Sequence, residues 1–129
     1  MKNLFLLFSH SLTEEQKQDA QKSLGVTDFV KLPEDLQAIF SDVPPELETL
    51  NEYLKPILEW IAEEANNLED YILIQGDFGV TYYLVDYCKS ANLATPVYAT
   101  TKRQSIDEEQ ADGSIVTKRT FKHVMFREY

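Results

Sequence analysis

The stretch from Ile72 to Cys88, ILIQGDFGVTYYLVDYC, passes from an unbroken apolar run to a helix-like pattern through only Gln75-Gly76-Asp77-Phe78 and a second glycine, Gly79. A short strand that is apolar on every residue must be covered on both faces, and a helix beginning so soon after it must fold back over one of them. That requirement points to a mostly parallel sheet flanked by helices. The same signature recurs along the chain. Asn3–Ser9 (NLFLLFS), Asp28–Leu32 (DFVKL), Tyr71–Gln75 and Thr95–Thr101 read as four strands.

Helical segments fall between them. Thr13-Glu14-Glu15-Gln16 is a capping-box pattern that opens a helix over Thr13–Leu24, with Gly25 as its stop. Glu34–Phe40 is long enough for one or two turns. After Pro44-Pro45, apolar residues from Leu47 to Ala65 follow a helical period, and Pro56 predicts a kink or two abutting helices. Thr81–Ser90 closes the series as a buried helix. The alternation implies a Rossmann-like α/β domain occupying residues 1–129 as one unit. Asp112-Gly113 is a hairpin turn signal, so the last third is expected to fold as a long C-terminal antiparallel β-hairpin.

Charge narrows the function. Twelve Lys and Arg against 22 Asp and Glu leave a net charge of −10, which argues against binding long nucleic acid or an anionic membrane. Leu4–Phe8 is too short to span a bilayer, so the chain reads as cytoplasmic. The single cysteine, Cys88, sits in an apolar helical stretch and reads as a packed thiol. With two distant histidines, His10 and His123, zinc-ligand spacing is absent and no metal or cofactor is expected, although the carboxylates leave a magnesium site open.

Ligands of open α/β sheets bind beyond the carboxyl ends of the strands. Three segments are expected there. Ser9, His10 and Ser11 follow the first strand; Gln75, Gly76, Asp77, Phe78 and Gly79 follow the third; Thr100, Thr101, Lys102 and Arg103 end the fourth. The glycines would let backbone approach a ligand, and the amides opening the next helix could donate to phosphate. Asp77 either caps that helix, or contacts a ribose hydroxyl or acts as a base. His10 either transfers a proton or contacts a phosphate, or it is merely hydrogen-bonded. Arg103 and Lys102 offer cations to phosphate. The glycine loop is neither GxGxxG nor a Walker motif, which disfavours a redox dinucleotide or ATP hydrolysis.

LFLLFSHSLT, ILIQGDFG, YATTKR and the closing FKHVMFREY together resemble a small type III CRISPR-associated family of stand-alone ring nucleases. The resemblance implies a CARF-like Rossmann domain, a homodimer, and binding of a cyclic oligoadenylate, foremost cyclic tetra-adenylate, which is cut to linear products. A two-fold dimer would present the same loops twice around a symmetric ring. For cleavage of such a ring, the residues at the carboxyl edge assign His10 to acid or base work, Asp77 to holding or deprotonating the ribose hydroxyl, and Arg103 or Lys102 to stabilising phosphorane charge. Ser9, Ser11, Gln75, Gly76, Phe78, Gly79, Thr100 and Thr101 form the cradle. Two rivals remain: a protein that sequesters the nucleotide without cutting it, and an interaction module whose acidic Glu34–Asp70 segment docks a basic partner.

Overall fold

The computed structural model describes all 129 residues. Nine elements follow in the order β1 (Asn3–Phe8), α1 (Glu14–Ser23), β2 (Asp28–Lys31), α2 (Glu34–Ser41), α3 (Asn51–Glu64), β3 (Tyr71–Gln75), α4 (Phe78–Ser90), β4 (Thr95–Glu109) and β5 (Ile115–Glu128). They build one five-stranded sheet in the order β2-β1-β3-β4-β5. The first four strands are parallel; β5 runs antiparallel to β4. The α/β class, the mostly parallel sheet and the C-terminal hairpin are therefore those expected from the sequence.

Each face of the sheet has its own cover. Leu4, Leu73, Val97 and Phe126 pack with Leu12 and Ala20 under α1. Phe5, Leu7, Ile72 and Ile74 pack on the other face with Phe40 of α2, Leu54, Ile57 and Ile61 of α3, and Val80, Leu84 and Cys88 of α4. Alternate residues of β1 and β3 thus point into different cores, which explains why both strands are apolar throughout. Burial pushes the Cys88 thiol up to about 12, as suits a packed, unreactive cysteine.

Local signals act as their chemistry dictates. The Thr13 side chain accepts from Gln16 N at 3.2 Å while Gln16 Oε1 accepts from Thr13 N at 2.9 Å, completing the capping box. Gly25 ends α1 with φ +70°. Two helix expectations are corrected. Pro44-Pro45 starts only a turn, and α3 begins at Asn51. Pro56 does not divide that helix: it is exposed, whereas Leu54, Ile57 and Ile61 are fully buried, and their packing carries one continuous helix past the missing amide.

The hairpin is longer than the strand ends read from the sequence. Every residue from Thr101 to Lys122 is exposed, so β4 and β5 leave the body as a two-stranded arm. A register shift between Thr100 and Thr101 marks where it departs. At its base His123 is buried, with Nε2 2.7 Å from Asp19 Oδ2, and its ring lies 4.8 Å from that of Phe126. Burial works against the Asp19 charge, yet hydrogen bonds from Ser23 and His123 hold its carboxyl below the ordinary value.

Candidate functional site

The strand order reverses between β1 and β3, which are adjacent although α1, β2, α2 and α3 separate them in sequence. Phe8 and Gln75 stand side by side at the carboxyl edge, so the loops carrying Ser9-His10-Ser11 and Gly76-Asp77 emerge together at the switch point. The third segment is placed differently. Thr100–Arg103 is not a strand end but the middle of the 15-residue β4, which continues past the edge. Ala99 is level with Gln75, whose Oε1 accepts from Ala99 N at 2.7 Å. Arg103 therefore lies roughly 14 Å beyond the edge at ~3.4 Å per residue.

Two grooves flank the switch point. One, of about 650 Å³, is lined by Ser9, His10 and Ser11 together with Lys17, Lys31 and Gln37. The other, of about 440 Å³, is lined by Gln75, Gly76, Phe78, Thr81, Tyr82 and Tyr98, among others. Both are of small-ligand size. His10 and Gly76-Phe78 thus border separate hollows, and Asp77, Gly79 and Thr100–Arg103 line neither.

The structure supplies structural work for several of these side chains. Asp77 is the N-cap of α4, its Oδ1 accepting from Val80 N at 3.0 Å. This cap moves the helix start from the expected Thr81 to Phe78. A Cβ on Gly76 would fall 2.7 Å from Phe40 Cζ, and one on Gly79 3.3 Å from Leu50 Cδ1. Close packing thus demands glycine at Gly76 whether or not a ligand binds. The Gly76 amide donates to Thr81 Oγ1 at 3.1 Å, so it is engaged already. Ser9 and Ser41 share a hydrogen bond at 3.0 Å, and Thr100 Oγ1 donates to Met125 O at 3.1 Å.

His10 is exposed and meets the edge of the Phe8 ring at 5.4 Å. Arg103 lies over the Phe121 ring at 5.6 Å, and Lys102 stands opposite Lys122 on the arm. Phe78 is 95% exposed and Tyr82, one turn later on α4, 76%; both rings border the smaller groove. Tyr98 and Tyr129 close its far side with ring centroids 4.8 Å apart. Burial and the neighbouring Tyr98 raise the Tyr129 hydroxyl, which donates to Ile74 O. Flat apolar walls of this kind suit stacking on a nucleobase.

Lys31, Tyr82 and Tyr98 were not singled out in the sequence. The rule that placed Ser9–Ser11 at the carboxyl edge also places Lys31, the last residue of β2. Tyr82 follows Phe78 by four residues, a helical spacing that could have exposed the pair.

These features define a small α/β protein with one mostly parallel sheet and paired grooves at its carboxyl switch point. The chain belongs to the family described as "Uncharacterized protein MJ1673 family", whose profile matches residues 2–127. It is similar to "Uncharacterized protein MJ1673" of Methanocaldococcus jannaschii, with 48% identity over 129 residues, covering 100% of this chain and 98% of that protein. No solved structure matches it. No helix is long and apolar enough to cross a membrane.

Proposed function

We propose that the protein is a CARF-like ring nuclease that binds a cyclic oligoadenylate, foremost cyclic tetra-adenylate, at its carboxyl edge and opens it without a metal, switching off type III CRISPR antiviral signalling. The observation that carries this reading is the spread of polar groups about one edge: His10 and Asp77 on adjacent loops, with Lys102 and Arg103 standing beyond them on β4. A mononucleotide cannot bridge roughly 14 Å of rise along a strand at ~3.4 Å per residue, whereas a ring of several nucleotides can. The resemblance of the same segments to ring nucleases supports the same ligand, and the aromatic groove suits an adenine.

In the reaction, a ribose 2′-oxygen attacks the adjacent phosphorus and gives up its proton as the P–O5′ bond breaks. The 5′-oxygen takes a proton and leaves a 2′,3′-cyclic phosphate, so no protein nucleophile is needed. Positioning and charge stabilisation supply the acceleration. His10 carries the proton. Asp77, with Oδ1 held by the helix amide, has its second oxygen to orient the hydroxyl. Lys102 or Arg103 faces the phosphorane charge.

A second reading, capture without cutting, is favoured by the cap that engages Asp77 and by the packing that demands Gly76. The test is a single-turnover incubation with labelled cyclic tetra-adenylate in chelator, followed by denaturation. A linear product ending in a 2′,3′-cyclic phosphate supports the nuclease, with loss of cutting in His10→Ala and Arg103→Ala. Recovery of intact ring together with a nucleotide-dependent rise in melting temperature leaves capture alone. Absence of any thermal shift at saturating nucleotide rejects both, because a ligand binding only the folded state must stabilise it.

A further inference from the structure

The two grooves at the switch point differ in charge. The aromatic groove carries no charged side chain, whereas the groove beside His10 is lined by Lys17 and Lys31 against the single carboxylate of Glu14. In a chain of net charge −10, a hollow with more cations than carboxylates runs against the rest of the molecule. The excess comes from Lys31. Lys17 is paired with Glu14 at 3.7 Å, but no carboxylate lies within 4 Å of the Lys31 ammonium.

Lys31 is in register with Leu6 of the parallel neighbour β1, so both side chains leave the sheet on the same face, the one covered by α1. Leu6, Phe8 and Phe29 pack against the core on that face and give the groove an apolar floor. A cation beside such a floor is screened less than one in open solvent, so it attracts an anion more strongly. The rim divides into groups in use and groups at liberty. Ser9 is bonded to Ser41, and Gln37 Nε2 donates to Phe8 O and Ser41 Oγ. Lys31 and the Ser11 hydroxyl keep their donors free for a ligand.

Position decides which part of the ligand this is. Lys31 is level with Leu6, two residues short of the edge residue Phe8, whereas Lys102 and Arg103 stand beyond the edge on β4. β2 and β4 are also three strand spacings apart in the sheet, roughly 14 Å at ~4.8 Å each. One phosphate therefore cannot meet Lys31 and the arm together. A ring of four nucleotides seated on the two-fold axis that the family resemblance implies has two kinds of phosphate, each present twice. We infer that Lys31 holds the phosphate that is not cut, with Ser11 donating beside it, while the reacting phosphate lies past His10 toward the arm. This assignment rests on the cyclic oligoadenylate reading and supplies the part of the site that the reaction leaves unassigned. Lys31 touches the ligand away from the breaking bond, so it sets affinity and not the rate of cleavage.

The probe is cyclic tetra-adenylate lacking its 2′-hydroxyls, which has no oxygen to attack with and so reports binding alone. Lys31→Ala should weaken its binding by about tenfold or more, as for loss of one charge-assisted hydrogen bond. It should also reduce the slope of log affinity against log salt by about one. Lys31→Arg should restore both, and Lys31→Gln, a donor without charge, neither. Lys55→Ala removes the same charge from α3, away from both grooves, and should leave binding unchanged. With the natural ring, Lys31→Ala should need about tenfold more ligand for half-maximal rate, while its single-turnover rate at saturation matches that of the unaltered protein. Lys31 is exposed, so the melting temperature without ligand should not move. Binding by Lys31→Ala close to that of the unaltered protein, an equal loss in Lys55→Ala, or an unmoved salt slope would overturn the inference while leaving the ligand in place. A fall in the saturated rate with unchanged half-saturation would also overturn it, by placing Lys31 on the reacting phosphate. If the unaltered protein binds neither ring, the ligand reading fails and this assignment fails with it.

Discussion

The body and the arm are held together by different physics, although one pair of strands runs through both. Residues 1–100 and 123–129 bury two cores and carry 18 carboxylates against seven cations; residues 101–122 carry four carboxylates against five cations. In the body, backbone pairing is secured by apolar side chains on both faces. Along the arm it rests on the ladder and a few cross-strand contacts, such as Lys118 with Glu108 at 2.9 Å and Thr117 with Asp107 at 2.7 Å. Exposed contacts of that type stabilise little. A strand can therefore persist well beyond its core, but such persistence invites a partner.

The contrast breaks most visibly if large side chains are removed from each region. Ile61→Ala, in the fully buried centre of α3, should lower stability by about 2–5 kcal/mol in denaturant titration. Phe121→Ala on the arm should change it by no more than about 0.5 kcal/mol, as for other exposed positions. Equal losses would mean that the arm has a core of its own.

Gly76→Ala probes the boundary between body and site. The new methyl would press on the buried Phe40 ring, and a cost of about 1–3 kcal/mol is expected. Unchanged stability would show that the ring yields, leaving backbone approach to a ligand as the reason for glycine.

Asp77→Ala should cost about 1 kcal/mol through loss of the cap, and Asp77→Asn much less, because asparagine caps equally well. The asparagine variant therefore separates roles: retained ring cleavage assigns Asp77 to the helix, whereas lost cleavage with retained melting temperature assigns its charge to the reaction.

The smallest effect concerns the latch between arm and body. The Asp19 carboxyl is held below its ordinary value, so its contribution is full above the unfolded aspartate value of about 3.9 and is lost as pH falls through the lower folded value. Acid titration followed by amide exchange at Met125 and Phe126 should show faster exchange there, and Asp19→Asn should flatten this acid dependence. A variant with an identical acid profile would remove the latch from the account.

The fold was largely legible because its constraints are local. Apolar runs flanked by turn residues marked β1, β2 and β3, the capping box marked α1, and Asp112-Gly113 marked the turn between β4 and β5. What escaped was set by tertiary context. Burial of Leu54, Ile57 and Ile61 overrides Pro56. Lack of side-chain cover does not end β4 at Thr101, because β5 follows it outward. Arrival at the carboxyl edge was legible for Ser9–Ser11 and Gln75–Gly79, but not for Thr100–Arg103, which lie in the middle of β4. Which loops reach the carboxyl edge follows from strand order, but whether Gly76 serves Phe40 or a ligand depends on a neighbour 36 residues earlier in the chain.

The sheet's two outermost strands have a consequence for solubility. β2 offers only four residues, and β5 presents cations without a carboxylate from Ile115 to Arg127. Neither is a good seed for stacking chain upon chain, since growth needs long, weakly charged margins.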